Sequence, residues 1–263
     1  MKKDVWAAGD LYEPYVGRWS RVVARDFLPW LEVRPDAEWL DVGCGTGALT
    51  QLILQLGAPR RVRGVDSSAG FVDYARGHCS DSRASFEVAD AQSLPVDGAA
   101  FDAAVSGLVL NFVPHPERAA AGMRRAVREG GVVAAYVWDY AGRMELMRYF
   151  WDAAVELDPA AKAADEGVRF PLCNPEQLAA LFTGAGLREV QVRAIDAPTP
   201  FRDFDDYWTP FLSGQAPAPG YCMSLGDEAR AALRERIRAK LPIRPDGSIA
   251  LIARAWAVKG KAG

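Results

Sequence analysis

Short apolar runs alternate with amphipathic stretches along the first half of the chain. The apolar runs are rich in strand-forming residues and predict five strands, at 38–42, 62–66, 85–89, 101–106 and 131–138. The stretches between them carry apolar residues at helical spacing, and a further helix is predicted ahead of them at 20–31. Strands and helices that alternate in this way are typical of an α/β fold built on a parallel sheet.

Capping residues mark several helix ends. Ser67 or Ser68 is a suitable N-cap for the helix that follows the second strand. Pro116 suits the first turn of the helix after the fourth strand, and Gly130 is the predicted stop of that helix. These ends agree with the strands that are assigned on either side of them.

The second half of the chain continues the pattern less regularly. Asn174 is a clear N-cap, because Pro175 takes the first helical position and Gln177 completes a capping box. Two further strands are predicted, at 187–195 and 248–258, which brings the total to seven.

Two segments, 139–173 and 198–247, lie outside this alternation and carry many aromatic residues. The second is far longer than an ordinary connection between strands. We interpret both as a helical lid over the substrate. The alternative is a satellite core packed on the sheet, since aromatic residues at this density are buried in either case. The chain is predicted to be one domain of 263 residues, with N-terminal cap helices at 1–35 and a core at 36–138.

The composition limits the classes of protein to which the chain can belong. Half of the residues are hydrophobic (50%) and 25% are charged, as is ordinary for a soluble globular chain, and the net charge of −3 argues against a nucleic-acid surface. No stretch stays apolar for the ~18 residues of a membrane span, and the first residues lack the apolar core of a signal peptide, so a cytoplasmic location is expected. The four cysteines lack metal-ligand spacing, so we expect free thiols and no metal.

The most informative motif is LDVGCGTG at 40–47. Gly43, Gly45 and Gly47 allow positive φ angles and let a ligand press against bare backbone, while the following helix presents free N–H groups. Taken alone, the loop also satisfies the GxGxxG/A pattern of dinucleotide-binding folds. Asp41 favours a ligand with an ammonium group, because a carboxylate at this place would repel a pyrophosphate.

The loop resembles motif I of the class I methyltransferases that depend on S-adenosyl-L-methionine (SAM), and the similarity extends over 39–131. Within that family the chain is similar to the ubiquinone and menaquinone C-methyltransferase-like group, which acts on small molecules. The resemblance implies a Rossmann-like, mostly parallel seven-stranded sheet with helices on both faces and the last strand antiparallel between the fifth and sixth. It also implies that SAM is the cofactor and that the core at 36–138 binds it.

The same resemblance gives roles to residues at the strand ends. Asp66 would accept the ribose hydroxyls, the alternative being an N-cap on the next helix. Asp90 would accept the exocyclic amine of adenine while the N–H of Ala91 reaches a ring nitrogen, the alternative being a turn-forming aspartate. The predicted cofactor-binding residues from the first strand onward are Asp41, Gly43, Cys44, Gly45, Gly47, Asp66, Ser67, Asp90, Ala91, Ser106, Gly107 and Leu108.

Two more cofactor residues are predicted before the first helix. Arg18 would pair with the methionine carboxylate of SAM, and Tyr15 would cover the sulfonium region; the alternative is an aromatic clasp that holds the N-terminus. The chain departs from the family at Asn111 and Phe112, where many members have a histidine and then an acid. His115 is interpreted as an exposed residue at a helix entry, and no catalytic residue is assigned.

The acceptor side is predicted from aromatic residues, which favour a flat or apolar small molecule and leave O-, C- and N-methylation open. Methyl transfer from a sulfonium chiefly requires orientation of the acceptor. Two other functions stay open: a non-catalytic protein that binds SAM or its demethylated product, and an NAD(P)-dependent oxidoreductase, which would gain nothing from Asp41 or Asp90. The acceptor-side candidates are Tyr136, Trp138, Tyr140, Tyr207 and Trp208.

Overall fold

The structure is a computed structural model that describes residues 18–96, 98–214 and 216–263. The predicted roles of Tyr15 and of the Arg18 side chain lie outside the described residues, as does the part of the predicted N-terminal cap that precedes residue 18.

Seven strands of the described chain form one sheet. They are Glu38–Val42 (β1), Arg61–Asp66 (β2), Ala84–Val88 (β3), Phe101–Gly107 (β4), Val127–Trp138 (β5), Arg188–Phe201 (β6) and Ile249–Lys261 (β7). Their order is β3-β2-β1-β4-β5-β7-β6, and all are parallel except the last, β7. The predicted α/β fold is therefore confirmed, including the antiparallel last strand between the fifth and sixth.

The described residues also form ten α-helices, and several of their caps follow the local sequence. They are Arg18–Trp30 (α1), Ala48–Leu56 (α2), Ala69–His78 (α3), Pro116–Ala126 (α4), Glu145–Leu157 (α5), Glu166–Arg169 (α6), Pro175–Gly184 (α7), Phe204–Trp208 (α8), Pro217–Ser224 (α9) and Asp227–Lys240 (α10). Ser68 caps α3 by accepting from Phe71 N, and Asn174 caps α7 by accepting from Gln177 N at 2.9 Å. These two predicted caps are confirmed.

Two strand boundaries differ from the prediction by four residues or more, the start of β5 and the end of β6. Helix α4 ends at Ala126 rather than near Arg128, because β5 begins at Val127, which pairs with Phe101 of β4. Gly130 lies within β5 at a φ of 75°, and its N–H donates to Ala262 O at 2.8 Å, so the predicted helix stop is wrong. Strand β6 continues to residue 201 because its buried and exposed positions go on alternating beyond residue 195.

The chain divides into two compact units. The first, called here the core unit, comprises 20–137, 172–195 and 255–263. The second, called here the helical unit, comprises 138–171 and 196–254 together with the described residues up to Trp19. No helix in the described ranges is both long enough and apolar enough to cross a membrane.

Aromatic side chains pack on one another inside the helical unit. The ring of Phe150 stacks on Phe211 with centroids 4.5 Å apart, and Trp151 lies 5.4 Å from Tyr221. An ion pair fastens α5 to the start of α6, since Arg148 Nη2 lies 2.7 Å from an oxygen of Asp165. The aromatic residues that were predicted to form a lid thus build an apolar interior within this unit.

Glu166 is a buried carboxyl group in the same unit. The indole N–H of Trp151 donates to its Oε2, and Oε1 has no hydrogen-bond partner among the described residues. Burial raises the pKa of Glu166 from 4.5 to about 7, because a buried charge loses its hydration.

We expect Glu166 to make the protein less stable as the pH rises from about 4.5 to about 7. The folded-state pKa lies above the unfolded one, so the stabilisation is complete below the lower value and is lost as the pH passes the higher one. At ~1.4 kcal/mol per pKa unit, this group contributes about 3 kcal/mol. Urea unfolding of wild type and Glu166→Gln across this window measures it. The free energy of unfolding of the variant should fall less with pH across this window than that of the wild type. The same fall in both proteins would contradict a raised pKa for Glu166.

Candidate functional site

The glycine loop joins β1 to α2 at the carboxyl edge of the sheet. Gly43, Gly45 and Gly47 have φ angles of 74°, 53° and 88°. The N–H of Gly43 donates to Val65 O at 2.8 Å, which ties the loop to β2, and the N–H of Gly47 donates to Cys44 O at 2.8 Å. The loop therefore uses the left-handed conformation that its glycines allow.

Two of these glycines have different surroundings. A Cβ on Gly43 would lie 2.5 Å from Val109 Cγ1, so the segment after β4 packs directly on this glycine. A Cβ on Gly45 would meet no described atom within 4 Å. The face of Gly45 is open backbone with room for a ligand. Helix α2 begins beside it, and no side chain of the described residues caps its start, so the positive end of the helix dipole faces this side of the loop.

Asp66 ends β2 next to the loop. Its Oδ2 accepts from Gly45 N at 2.9 Å, and its Oδ1 accepts from Ser68 N at 2.9 Å. Since the hydroxyl of Ser68 caps α3, the alternative role of Asp66 as that cap is not needed. The backbone thus holds this carboxylate at the sheet edge, and its remaining lone pairs can accept hydroxyl donors.

Asp41 lies on β1, one residue before the strand ends, and is completely buried. The hydroxyl of Thr50 donates to its Oδ2 at 2.7 Å, while Oδ1 has no partner in the described part of the chain. Burial, reinforced by the charge of Asp66, raises the pKa of Asp41 from 3.8 to about 7. An orphaned carboxylate oxygen of this kind suits a cationic donor.

Asp90 follows β3 and is exposed. It accepts from Gln92 N at 2.9 Å, and its own carbonyl oxygen accepts from Ser93 N at 3.0 Å, so it does form a turn. The carboxylate of Asp90 is exposed and Ala91 is half-buried. The contact of these two residues with adenine stays a prediction.

The end of β4 is tightly constrained. Ser106 is fully buried, and Leu108 has a φ of 62°, which is uncommon for a residue other than glycine. The N–H of Leu108 donates to Tyr136 O at 2.8 Å, and a Cβ on Gly107 would lie 2.6 Å from the Tyr136 hydroxyl oxygen. Strain of this kind is common where a ligand is held.

The structure thus brings most predicted cofactor residues to neighbouring strand ends of the core unit. Cys44 is buried within the loop, and Ser67 is exposed just after β2. His115 is exposed at the N-cap position of α4, as the sequence predicts, and its Nδ1 lies 3.2 Å from Glu117 Oε1. Within the described ranges, no group of three side chains suited to hold a metal ion occurs.

The predicted acceptor-side residues are all buried. The hydroxyl of Tyr207 donates to Leu146 O at 2.7 Å, and the ring of Tyr140 lies 5.6 Å from that of Phe170. In the core unit, the ring of Tyr136 lies 4.8 Å from Phe27. Packing inside each unit is enough to explain why these aromatic side chains are buried. Their roles in binding the methyl acceptor therefore stay predictions. The five residues concerned are Tyr136, Trp138, Tyr140, Tyr207 and Trp208.

Sequence reasoning missed two residues of the site, Thr50 and Val109. A polar residue on the buried face of α2 was a readable signal for Thr50, because a buried hydroxyl requires a partner. The contact of Val109 with Gly43 joins residues far apart in the chain and had no local signal.

Residues 40–135 match the family described as a methyltransferase domain. The chain is 30% identical over 170 residues to trans-aconitate 2-methyltransferase of Deinococcus radiodurans, a match that covers 64% of each protein. It is 35% identical over 92 residues to malonyl-[acyl-carrier protein] O-methyltransferase of Hahella chejuensis, which covers 35% of this chain and 33% of that protein. Each match therefore spans less than two thirds of the relative's length.

The fold is also similar to a solved structure, that of Haemonchus contortus phosphoethanolamine N-methyltransferase 2 in complex with S-adenosyl-L-methionine. The TM-score is 0.61 at 16% identity, and the similarity covers 97% of this chain and 56% of the other. The matched domain contains the glycine loop, the edge acids and the constrained end of β4. Residues 40–135 are therefore similar to a methyltransferase domain, and the fold of the chain is that of a solved methyltransferase.

Proposed function

We propose that the chain transfers the methyl group of SAM to a small-molecule acceptor. The observation that carries the proposal is the open backbone face of Gly45, which lies beside a carboxylate held by its own N–H. The uncapped start of α2 and the orphaned Oδ1 of Asp41 fit the same ligand, which carries both cationic and hydrogen-bonding groups.

Each side chain of the site would have a separate task in holding the cofactor. Asp66 would accept the ribose hydroxyls, Asp90 the adenine amine, and Asp41 would attract the ammonium group. Bound SAM supplies an activated methyl group, because its sulfonium sulfur is a good leaving group. The protein's contribution is then to orient and desolvate the reactants, and orientation can lower a barrier by ~7–11 kcal/mol.

For the acceptor, we propose a flat or apolar organic molecule, because the relatives of the chain include methyltransferases named for menaquinone and ubiquinone synthesis. The names of the Deinococcus and Hahella relatives indicate two other classes, a free polycarboxylate and an acyl thioester. Incubation of the protein with SAM and quinols, phenols, aconitate or malonyl thioesters, with assay of S-adenosylhomocysteine (SAH), tests this proposal.

Three outcomes of this assay are informative. SAH formation with quinols or phenols would support the proposed acceptor class. Turnover with polycarboxylates or malonyl thioesters alone would refute that class and leave methyl transfer standing. Tight SAM binding without turnover on any acceptor would favour a non-catalytic binding protein.

We expect the affinity for SAM to rise with pH up to about 7, the pKa of Asp41, and to level off above it. Ionised Asp41 attracts the positive charges of SAM, so binding at lower pH must release its proton, and the affinity changes by at most about tenfold per pH unit. Asp41→Asn should bind SAM more weakly, and its affinity should no longer rise with pH because of this carboxyl group. Any pH dependence that the variant retains comes from titration of the ligand.

Thr50→Val is the matched variant for this pH dependence. The hydroxyl of Thr50 stabilises the ionised carboxylate, so its removal should raise the pKa of Asp41 and move the rise in affinity to higher pH. Calorimetric titrations between about pH 6 and pH 8 measure both variants. A profile shared by wild type and Asp41→Asn would show that Asp41 is not the titrating group.

A further inference from the structure

We infer that the side-chain amide of Asn111 donates a hydrogen bond to the methionine carboxylate of bound SAM. This inference rests on the proposed function, and it adds a positioning residue that the family pattern does not supply. Where many members have a histidine, this chain has a neutral amide. An amide does not take up a proton near neutral pH, so it acts as a hydrogen-bonding group and not as a base.

The position of Asn111 places it next to the glycine loop. It lies in the 3₁₀ turn Leu110–Phe112, which directly follows Val109. Because Val109 packs on Gly43, this turn is fastened to the loop on the β4 side of β1. The proposal places the side chain of Asn111, two positions further along the chain, beside a ligand that lies on the loop.

The amide has an unmet hydrogen-bonding requirement. Its Nδ2 is shielded from solvent and has no partner among the described residues. A buried donor without a partner costs about 1–3 kcal/mol, so an acceptor supplied by a ligand at this place would be stabilising. Asn111 itself is half-buried, and rotation about its Cβ–Cγ bond is broad and nearly two-fold, so the amide can turn its N–H groups toward a ligand.

The distribution of charge selects the carboxylate as the group that Asn111 meets. Asp41, Asp66 and Asp90 belong to β1 and to the ends of β2 and β3, which lie together on one half of the sheet. Whichever part of SAM each acid contacts, the negative charges on this half of the sheet repel a carboxylate. The carboxylate is therefore favoured on the β4 side, where Asn111 offers a donor without a negative charge.

Two ligands and two variants test the contact by calorimetry. SAH keeps the amino-acid end of SAM, and 5′-methylthioadenosine lacks it. Asn111→Ala should weaken SAH binding by about tenfold to a hundredfold, as loss of a hydrogen bond to a charged group does, and should change methylthioadenosine binding by less than about twofold. Asn111→Asp should bind SAH more weakly than Asn111→Ala, because two carboxylates then face each other.

Several results would overturn the inference. Tighter SAH binding by Asn111→Asp than by Asn111→Ala would place the ammonium, and not the carboxylate, at this residue. Equal loss for both ligands would mean that Asn111 acts on the adenosine site or on the loop. Urea unfolding checks that each variant is folded, and Asn111→Ser replaces Asn111→Ala if alanine disturbs the turn. If the wild-type protein binds neither ligand, the proposed function itself fails. If all variants bind SAH as the wild type does, only the inference about Asn111 fails.

Discussion

Gly45→Ala should abolish SAM binding while the protein stays folded. The new Cβ would meet no atom of the described residues within 4 Å, so the main cost to folding is a left-handed φ of 53° for alanine, about 1–2 kcal/mol. The same Cβ would occupy the open face on which we place the cofactor. We expect at least a hundredfold loss of affinity, or about 3 kcal/mol, by calorimetric titration with SAM.

Gly43→Ala is the matched control, because its main effect should be on folding stability and not on contact with SAM. Its Cβ would lie 2.5 Å from Val109, within the packed loop, and its φ of 74° is equally unsuited to alanine. We expect a loss of folding stability of about 3 kcal/mol or more, measured by urea unfolding. Normal SAM binding by Gly45→Ala, or equal destabilisation by both substitutions, would contradict the view that Gly45, and not Gly43, faces the ligand.

Asp66→Ala should lower the affinity for SAM by about a hundredfold. Each hydrogen bond from a ribose hydroxyl to a carboxylate contributes about 1.5–3 kcal/mol, and two are proposed here. The substitution also removes the acceptor of Gly45 N and Ser68 N, so the loop loses support on the β2 side. Asp66→Asn keeps one acceptor oxygen and should have an intermediate affinity. Calorimetry with SAM and with adenosine measures both variants.

Asp73→Asn provides the control for the loss of a negative charge. Asp73 lies on α3, and its side chain is 72% exposed, so the substitution should leave both affinities unchanged. If Asp66→Ala weakened SAM but not adenosine, the carboxylate would contact some part of the ligand other than the ribose. If it weakened neither, its role would be confined to supporting the loop.

The features that could be predicted from sequence are those with local causes. Strand β1 lies where its apolar pattern predicts it, and the caps at Ser68 and Asn174 depend on side chains within three residues of the N–H groups they bind. The glycine loop is equally local, since its positive φ angles require particular residues at particular positions.

The features that could not be predicted depend on residues distant in sequence. Glycine is a residue type that commonly ends helices, but Gly130 lies in a strand. The pairing of β5 with β4 and a hydrogen bond to Ala262 place it there. Aromatic residues such as Tyr207 suit an apolar interior and a substrate surface equally well, and only their three-dimensional neighbours distinguish the two. The unpaired oxygen of Asp41 also depends on burial by the folded chain.

We place SAM on the glycine loop at the edge of the sheet. Calorimetric titration of the wild-type protein with SAM, and separately with NAD, tests this placement. We expect saturable binding of one SAM per chain and no binding of NAD. Binding of NAD with no heat of binding from SAM would contradict it and would indicate the oxidoreductase alternative.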